Sequence, residues 1–123
     1  MNRPEKVFLV DDEQPVLRAL SRLLRSQGYT IEAFGSGREF MARYKPSMFG
    51  CLVMDISMPE VTGLDVQEWL SGSLPIIFLT GKDDVHERAR ALERGAVDVL
   101  MKPVVASALF KGIEDALARN RGY

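Results

Sequence analysis

The stretch Cys51-Leu52-Val53-Met54-Asp55 decides how the rest of this chain is read: an apolar run that stops on a single carboxylate. A second run, Val7-Phe8-Leu9-Val10, stops in the same way on the adjacent pair Asp11-Asp12. Short apolar runs with such ends read as buried strands. If these two lie side by side and parallel, their C-terminal ends gather three acids into one pocket. Carboxylates crowded into a partly desolvated site repel one another and raise each other's pKa, so the cluster calls for a neutralising cation. A hard, oxygen-seeking ion such as Mg2+, or Mn2+ in its place, suits that donor set.

Counted from the N-terminus, the run at residues 7–10 is strand β1. Pro15 suits the opening turn of a helix, and Val16, Leu17, Leu20, Leu23 and Leu24 recur at helical spacing until Gly28 stops it, which gives α1. Thr30-Ile31-Glu32-Ala33-Phe34 alternates as a half-exposed strand, β2. Ser36-Gly37-Arg38-Glu39 then has capping-box form ahead of Phe40, Met41 and Tyr44, which places α2. Strand β3 (51–55) closes at Asp55, a loop from Ile56 to Thr62 carries Pro59, and α3 lies near Leu64 to Leu70. Pro75 to Thr80 reads as β4, Asp83 to Arg94 as α4 closed by Gly95, and Val97 to Met101 as β5. Leu109, Ile113 and Leu117 mark α5. Five strands alternate with five helices, and the strands are too apolar to leave one face in water. The pattern is that of a doubly wound α/β fold, a parallel sheet covered on both sides. Ligands of such sheets bind beyond the C-terminal strand ends, where the strand order reverses.

At 123 residues and 46% hydrophobic content the chain is a single domain with enough apolar surface for one core. Sixteen basic and seventeen acidic residues leave a net charge of −1 with no long run of either sign, so strong binding to nucleic acid or an anionic membrane is not expected. The lone cysteine, Cys51, excludes an internal disulfide and reads as a buried structural thiol. No apolar stretch approaches the roughly 20 residues of a membrane span, and no signal-peptide core follows Met1-Asn2-Arg3-Pro4-Glu5-Lys6, so a cytoplasmic protein is expected. Arg119 to Tyr123 reads as the start of a linker.

Two more polar residues fall at strand ends, Thr80 after β4 and Lys102 after β5. A cation held by Asp12 and Asp55, the hydroxyl of Thr80 and the ammonium of Lys102 together make a cradle for a phosphoryl group, whose equatorial oxygens need counter-charge or donors. A carboxylate can also be the acceptor, because aspartyl phosphates are established chemistry. Asp55, alone on the central strand, is the choice, with the Asp11-Asp12 pair as the metal-holding side. His86, the sole histidine, reads as an exposed helix position rather than a ligand. Trp69, at helical spacing from Val66, reads as core. Arg18, Arg22 and Arg25 form a basic stripe along α1 that reads as a solvated face.

Taken together, Asp11-Asp12, Asp55 within Met54-Asp55-Ile56-Ser57-Met58-Pro59-Glu60-Val61-Thr62-Gly63, Thr80-Gly81 and Lys102-Pro103 resemble the receiver domain of two-component response regulators over essentially the whole chain. The segment Gly95-Ala96-Val97-Asp98 resembles the FixJ-like branch, whose receivers often precede a LuxR-type helix-turn-helix domain. The resemblance, and not the residue pattern, implies strand order 2-1-3-4-5. It implies that Asp55 takes a phosphoryl group from a phosphohistidine of a sensor histidine kinase. Asp11, Asp12, Asp55 and the backbone carbonyl of Ser57 would hold Mg2+, and Lys102 would contact the phosphoryl group. Thr80 would move toward it, and Gly81, with no side chain, would leave the approach open. Lys82 and Ser57 would tune the lifetime of the phosphorylated state, and the Lys102-Pro103 bond is expected to be cis. The α4-β5-α5 face would carry the output, with a phosphorylation-promoted homodimer through α4 and β5, and the basic stripe of α1 would lie on the kinase-docking side.

Two departures bear on that output. Where the family often has an aromatic residue three positions before the lysine, this chain has Val99, short and stiff at χ1, which gives little reach for a rotating-aromatic readout. After Lys102-Pro103 stands Val104 in place of another frequent aromatic. Phosphorylation itself is expected to survive both changes.

Rival readings come from other classes. An aspartate-dependent phosphatase of similar topology would carry an Asp-x-Asp nucleophile on its first strand, whereas here Asp12 is followed by Glu13-Gln14. A flavodoxin-like cofactor binder would need a phosphate-cradling loop after β1, and Asp11-Asp12-Glu13 would repel that phosphate. A stand-alone receiver or pseudo-receiver acting by protein contacts shares every motif with the leading reading.

Overall fold

The computed structural model describes residues 5–81 and 83–120 of the chain. The apolar runs pair as their patterning requires. β1 (Lys6–Val10), β2 (Ile31–Phe34), β3 (Gly50–Asp55), β4 (Ile76–Thr80) and β5 (Asp98–Met101) form one parallel sheet in the order β2-β1-β3-β4-β5. β1 and β3 run side by side in the register Val10 opposite Met54, so Asp11 and Asp55 follow at neighbouring strand ends.

The helices α1 (Gln14–Ser26), α2 (Gly37–Arg43), α3 (Gly63–Leu70), α4 (Val85–Glu93) and α5 (Ala106–Asn120) cover both faces. Successive strand residues point to opposite sides, and the core divides accordingly. Phe8, Val10, Leu52, Met54 and Phe78 pack with Phe40 of α2, Val66 and Leu70 of α3 and Ala91 of α4. Val7, Leu9, Cys51, Val53, Ile77 and Leu79 pack with Leu17, Leu20 and Leu24 of α1 and Leu109, Ile113 and Leu117 of α5. Each buried Val, Leu, Ile, Phe or Met side chain among them stabilises the fold by roughly 1.5–3 kcal/mol. β3 is buried along its full length, which is why it carries no polar residue before Asp55.

Local signals explain most element ends. Pro15 sits in the first turn of α1, and Gly28, at φ +90°, accepts the left-handed turn that ends the segment. Ser36 caps α2 through the Glu39 amide, but the Glu39 carboxylate accepts from Gly35 rather than from Ser36, so the box expected there is half formed. The complete capping box belongs to Thr62 and Asp65, at the start of α3. α4 begins at Val85, two residues later than its sequence pattern predicts, and the side chain of its N-cap, Asp84, makes no capping bond. Gly50 must be glycine: at φ +144° a Cβ there would lie 1.8 Å from the Lys6 carbonyl oxygen.

Trp69 departs from expectation. It is 47% exposed, its ring meeting Tyr44 edge-on at 5.5 Å between centroids. The inward face of α3 is filled instead by Val66, Gln67 and Leu70, and the Gln67 amide donates to the Ala91 carbonyl, tying α3 to α4. His86 is exposed and Cys51 buried, as read from the sequence. Burial pushes the Cys51 thiol up to about 12, out of the reactive range.

Candidate functional site

Parallel pairing brings four strand ends to one edge of the sheet, and each delivers one expected residue. Asp11 follows β1, Asp55 closes β3, Thr80 closes β4, and Lys102 follows β5. Backbone bonds between the ends fix their relative heights: Ile56 N donates to Leu79 O at 2.8 Å, and Lys102 N donates to Thr80 O at 2.8 Å. The loop after β3 is held as tightly. Gly63 N donates to Ile56 O, and a Cβ on Gly63 would meet Phe78 Cε1 at 2.7 Å and Ile56 Cα at 2.8 Å.

Within this frame Lys102 Nζ donates to Asp55 Oδ2 at 3.0 Å and to Asp11 Oδ2 at 3.1 Å, and lies 3.7 Å from Glu13 Oε1. The second oxygen of each buried acid takes a backbone amide: Ser57 N donates to Asp55 Oδ1 at 3.1 Å, Glu13 N to Asp11 Oδ1 at 2.9 Å. Asp11 is 1% exposed and Asp55 6%, so both carboxylates are nearly out of water while Asp12 remains exposed. Carboxylate oxygens of Asp11, Asp12 and Asp55 lie within 4.8 Å of one another. One ammonium thus contacts three carboxylates, with Asp12 adding a fourth, and the surplus charge is negative. Oxygen donors, close spacing and uncompensated charge together fit a hard divalent cation.

The electrostatics follow from this arrangement. Burial raises the Asp55 carboxyl above its ordinary value. The Ser57 amide and Lys102 pull it down without cancelling burial, and the nearby Asp11 charge raises it further. For Lys102, burial acts to lower the pKa, but hydrogen bonds and charge from Asp55 and Asp11 outweigh it, so the ammonium is held above its usual range.

Thr80, 1% exposed, closes β4 where the sequence put it, but its hydroxyl is engaged away from the acids, with Asp84 Oδ2 at 2.8 Å and Gly81 O at 3.0 Å. Gly81 offers open space, a Cβ there meeting only Asp84 Oδ2 at 3.8 Å. Val99 is buried with Ala91 and Ala96 under α4, Ser57 is exposed, and the Lys102-Pro103 bond is cis. Lys82 lies outside the described residues. The sequence reading missed Glu13 and Asp84. Glu13 adjoins the acidic pair, which was a signal for it, whereas nothing in the sequence marks the inward turn of Asp84.

The response regulator receiver domain family matches residues 7–114. This chain belongs to that family. It is 40% identical over 119 residues to the response regulator protein TodT of Pseudomonas putida, covering 94% of this chain and 52% of TodT. It is likewise 40% identical over 118 residues to nodulation protein W of Bradyrhizobium diazoefficiens, with 94% and 52% covered. The chain therefore spans about half the length of these relatives. Among solved structures, response regulator StyR superposes with a TM-score of 0.91 at 36% identity, covering 98% of this chain and 62% of StyR. FixJ-N superposes at 0.86 and 31% identity, covering 95% and 96%. The chain is thus a response regulator receiver domain with FixJ-like neighbours and the strand order of that fold. The family is one of receivers and not of classical enzymes. Among the described residues no helix is long and apolar enough to cross a membrane.

Proposed function

We propose that Asp55 is the phospho-acceptor of a two-component switch. The observation that carries this reading is a single carboxylate, nearly buried, with an ammonium at 3.0 Å and two further acids within metal-sharing distance. A carboxylate oxygen of Asp55 attacks the phosphorus of a phosphohistidine on a sensor histidine kinase, the P–N bond breaks, and the imidazole leaves with its electron pair. Asp11, Asp12, Asp55 and the Ser57 carbonyl hold Mg2+ or Mn2+, which neutralises the acids and the phosphoryl oxygens when bound. Lys102 shifts its ammonium from the Asp55 carboxylate to the phosphoryl group that replaces it, and Thr80 supplies a hydroxyl. Gly81 leaves the approach open, Ser57 and Lys82 border the path of hydrolytic water, and the cis bond at Pro103 orients Lys102. Phosphotransfer and dephosphorylation are self-catalysed, with no turnover of a free metabolite.

Residues 1–123 are read as the receiver, with 119–123 as the start of a linker. Relatives of twice this length include the transcriptional regulatory protein TdiR of Thauera aromatica, which supports transcription as the output, through a LuxR-type helix-turn-helix domain beyond this chain. The receiver itself contacts neither nucleic acid nor membrane and works in the cytoplasm. The exposed apolar residues Val85, Leu92 and Met101 favour a phosphorylation-promoted homodimer through α4 and β5, which sedimentation with and without a phosphoryl mimic tests.

Intact-protein mass spectrometry after incubation with acetyl phosphate and Mg2+ tests the acceptor. One phosphoryl adduct, absent with EDTA and absent in Asp55→Asn, is expected. No adduct under any condition would mark a pseudo-receiver, and release of phosphate from small phosphoesters over many turnovers would mark a phosphatase.

A further inference from the structure

The Asp84 carboxylate is used in an unusual way. Asp84 is the N-cap of α4, a position where an aspartate ordinarily accepts from the amides of the first turn. It makes no such bond. Its Oδ2 instead accepts from the Thr80 hydroxyl at 2.8 Å and from the Gly81 amide at 3.1 Å. The first-turn amides of α4 are left without their cap, and Val85, His86 and Glu87 are all exposed. Ala91 is the one buried residue of α4 among those described, and the Gln67 bond to its carbonyl anchors the helix in its second half. The N-terminal half of α4 is therefore held by little beyond its own backbone.

We propose that Asp84 is a positioning residue with two alternative sets of partners, Thr80 and Gly81 in one state and the first turn of α4 in the other. The inference rests on the phospho-acceptor reading. In the unphosphorylated protein Asp84 holds the Thr80 hydroxyl away from Asp55. When Thr80 turns to the phosphoryl oxygens it gives up that partner, and the freed carboxylate caps α4 through the amides of His86 or Glu87, where the helix dipole also favours a negative charge. One carboxylate thus converts the move of a hydroxyl at the end of β4 into a change at the start of α4. No aromatic side chain has to rotate, which suits a chain with Val99 at that place.

Amide hydrogen exchange by NMR tests the exchange of partners, using the full chain with and without beryllofluoride plus Mg2+ as the phosphoryl mimic. In wild type the mimic is expected to lower protection at Gly81 and raise it at His86 or Glu87, each by about fivefold or more. Asp84→Asn keeps an acceptor oxygen that is good at N-caps and should respond in the same way. Asp84→Ala should show Gly81 unprotected from the outset and no gain on α4. Intact mass after acetyl phosphate labelling separates the two claims. A wild type that takes no adduct and binds no mimic removes the acceptor reading and the inference together. A wild type that takes the adduct but keeps Gly81 protected, or an Asp84→Ala protein whose α4 gains protection equally, overturns the inference alone. The opposite shifts within wild type decide the matter even if Asp84→Ala fails to fold.

Discussion

Two pairs of side chains stand beyond the C-terminal edge of the sheet, and they are held in different ways. Lys102 and Asp55 sit on backbone that is cross-bonded to the adjoining strands and backed by a loop with no space for an extra methyl group. Thr80 and Asp84 hold one another across the start of a loop with open space beside Gly81 and lead into a helix with one buried residue among those described. On the proposed reading, chemistry belongs to the first pair and transmission to the second, where a single bond can be traded. The β3–α3 connection is tied by the Gly63 amide to the Ile56 carbonyl and has no room for a Cβ at Gly63, whereas Gly81, just past β4, adjoins open space.

The contrast is broken most severely at Gly63. In Gly63→Ala the new Cβ would press on Phe78, on the Ile56 backbone and on the Asp55 carbonyl, none of which can yield cheaply. A loss of about 2–3 kcal/mol in urea unfolding is expected, with weaker phosphoryl labelling because Asp55 itself is displaced.

A smaller effect comes from the acid. Because burial and Asp11 hold Asp55 above its ordinary 3.8, the ionised form is disfavoured in the fold, while Lys102 retains Asp11 as a partner if Asp55 is neutralised. Asp55→Asn should raise stability at neutral pH, read as a higher urea midpoint, and Mg2+ should raise the Tm of wild type but not of the variant. The sign with pH follows from proton binding. Between 3.8 and the raised value the folded state holds this proton more tightly than the unfolded chain, so the contribution of Asp55 to stability rises as pH falls through that window and is lost as pH rises. Subtracting the Asp55→Asn profile from that of metal-free wild type isolates it.

Least affected in stability is Gly81→Ala, which meets open space and needs no positive φ, so its urea midpoint should match wild type to within about 0.5 kcal/mol. Its phosphorylation rate should fall, since a methyl group narrows the approach to Asp55. A large loss of stability there would erase the distinction between the two loops.

The rigid half of this comparison was legible in the sequence. A strand buried on both faces must be apolar until it ends, so the first polar residue marks the strand end for Asp11, Asp55 and Thr80, and parallel pairing does the rest; Lys102 follows the edge strand β5, whose ends are exposed. The other half was not. Asp84 falls inside the span that the sequence marks as α4, Asp83 to Arg94, and only three-dimensional placement shows its carboxylate turned back to Thr80. Trp69 misled for a related reason. Helical spacing from Val66 is a one-dimensional signal, and the inward face of α3 had already been filled by Gln67 and Leu70, leaving the indole to lie against Tyr44. Gln67 was overlooked because a polar side chain gives no sign in the sequence of a partner such as the Ala91 carbonyl 24 positions away.

The most direct test of the central claim locates the phosphoryl group. Borohydride reduces an acyl phosphate to an alcohol, so an aspartyl phosphate at position 55 becomes homoserine there. After labelling with acetyl phosphate and Mg2+, reduction and tandem mass spectrometry should find homoserine at position 55 and aspartate unchanged at 11 and 12. Homoserine at position 11 or 12, or a labelled protein with position 55 unchanged, would contradict the assignment of Asp55 as acceptor.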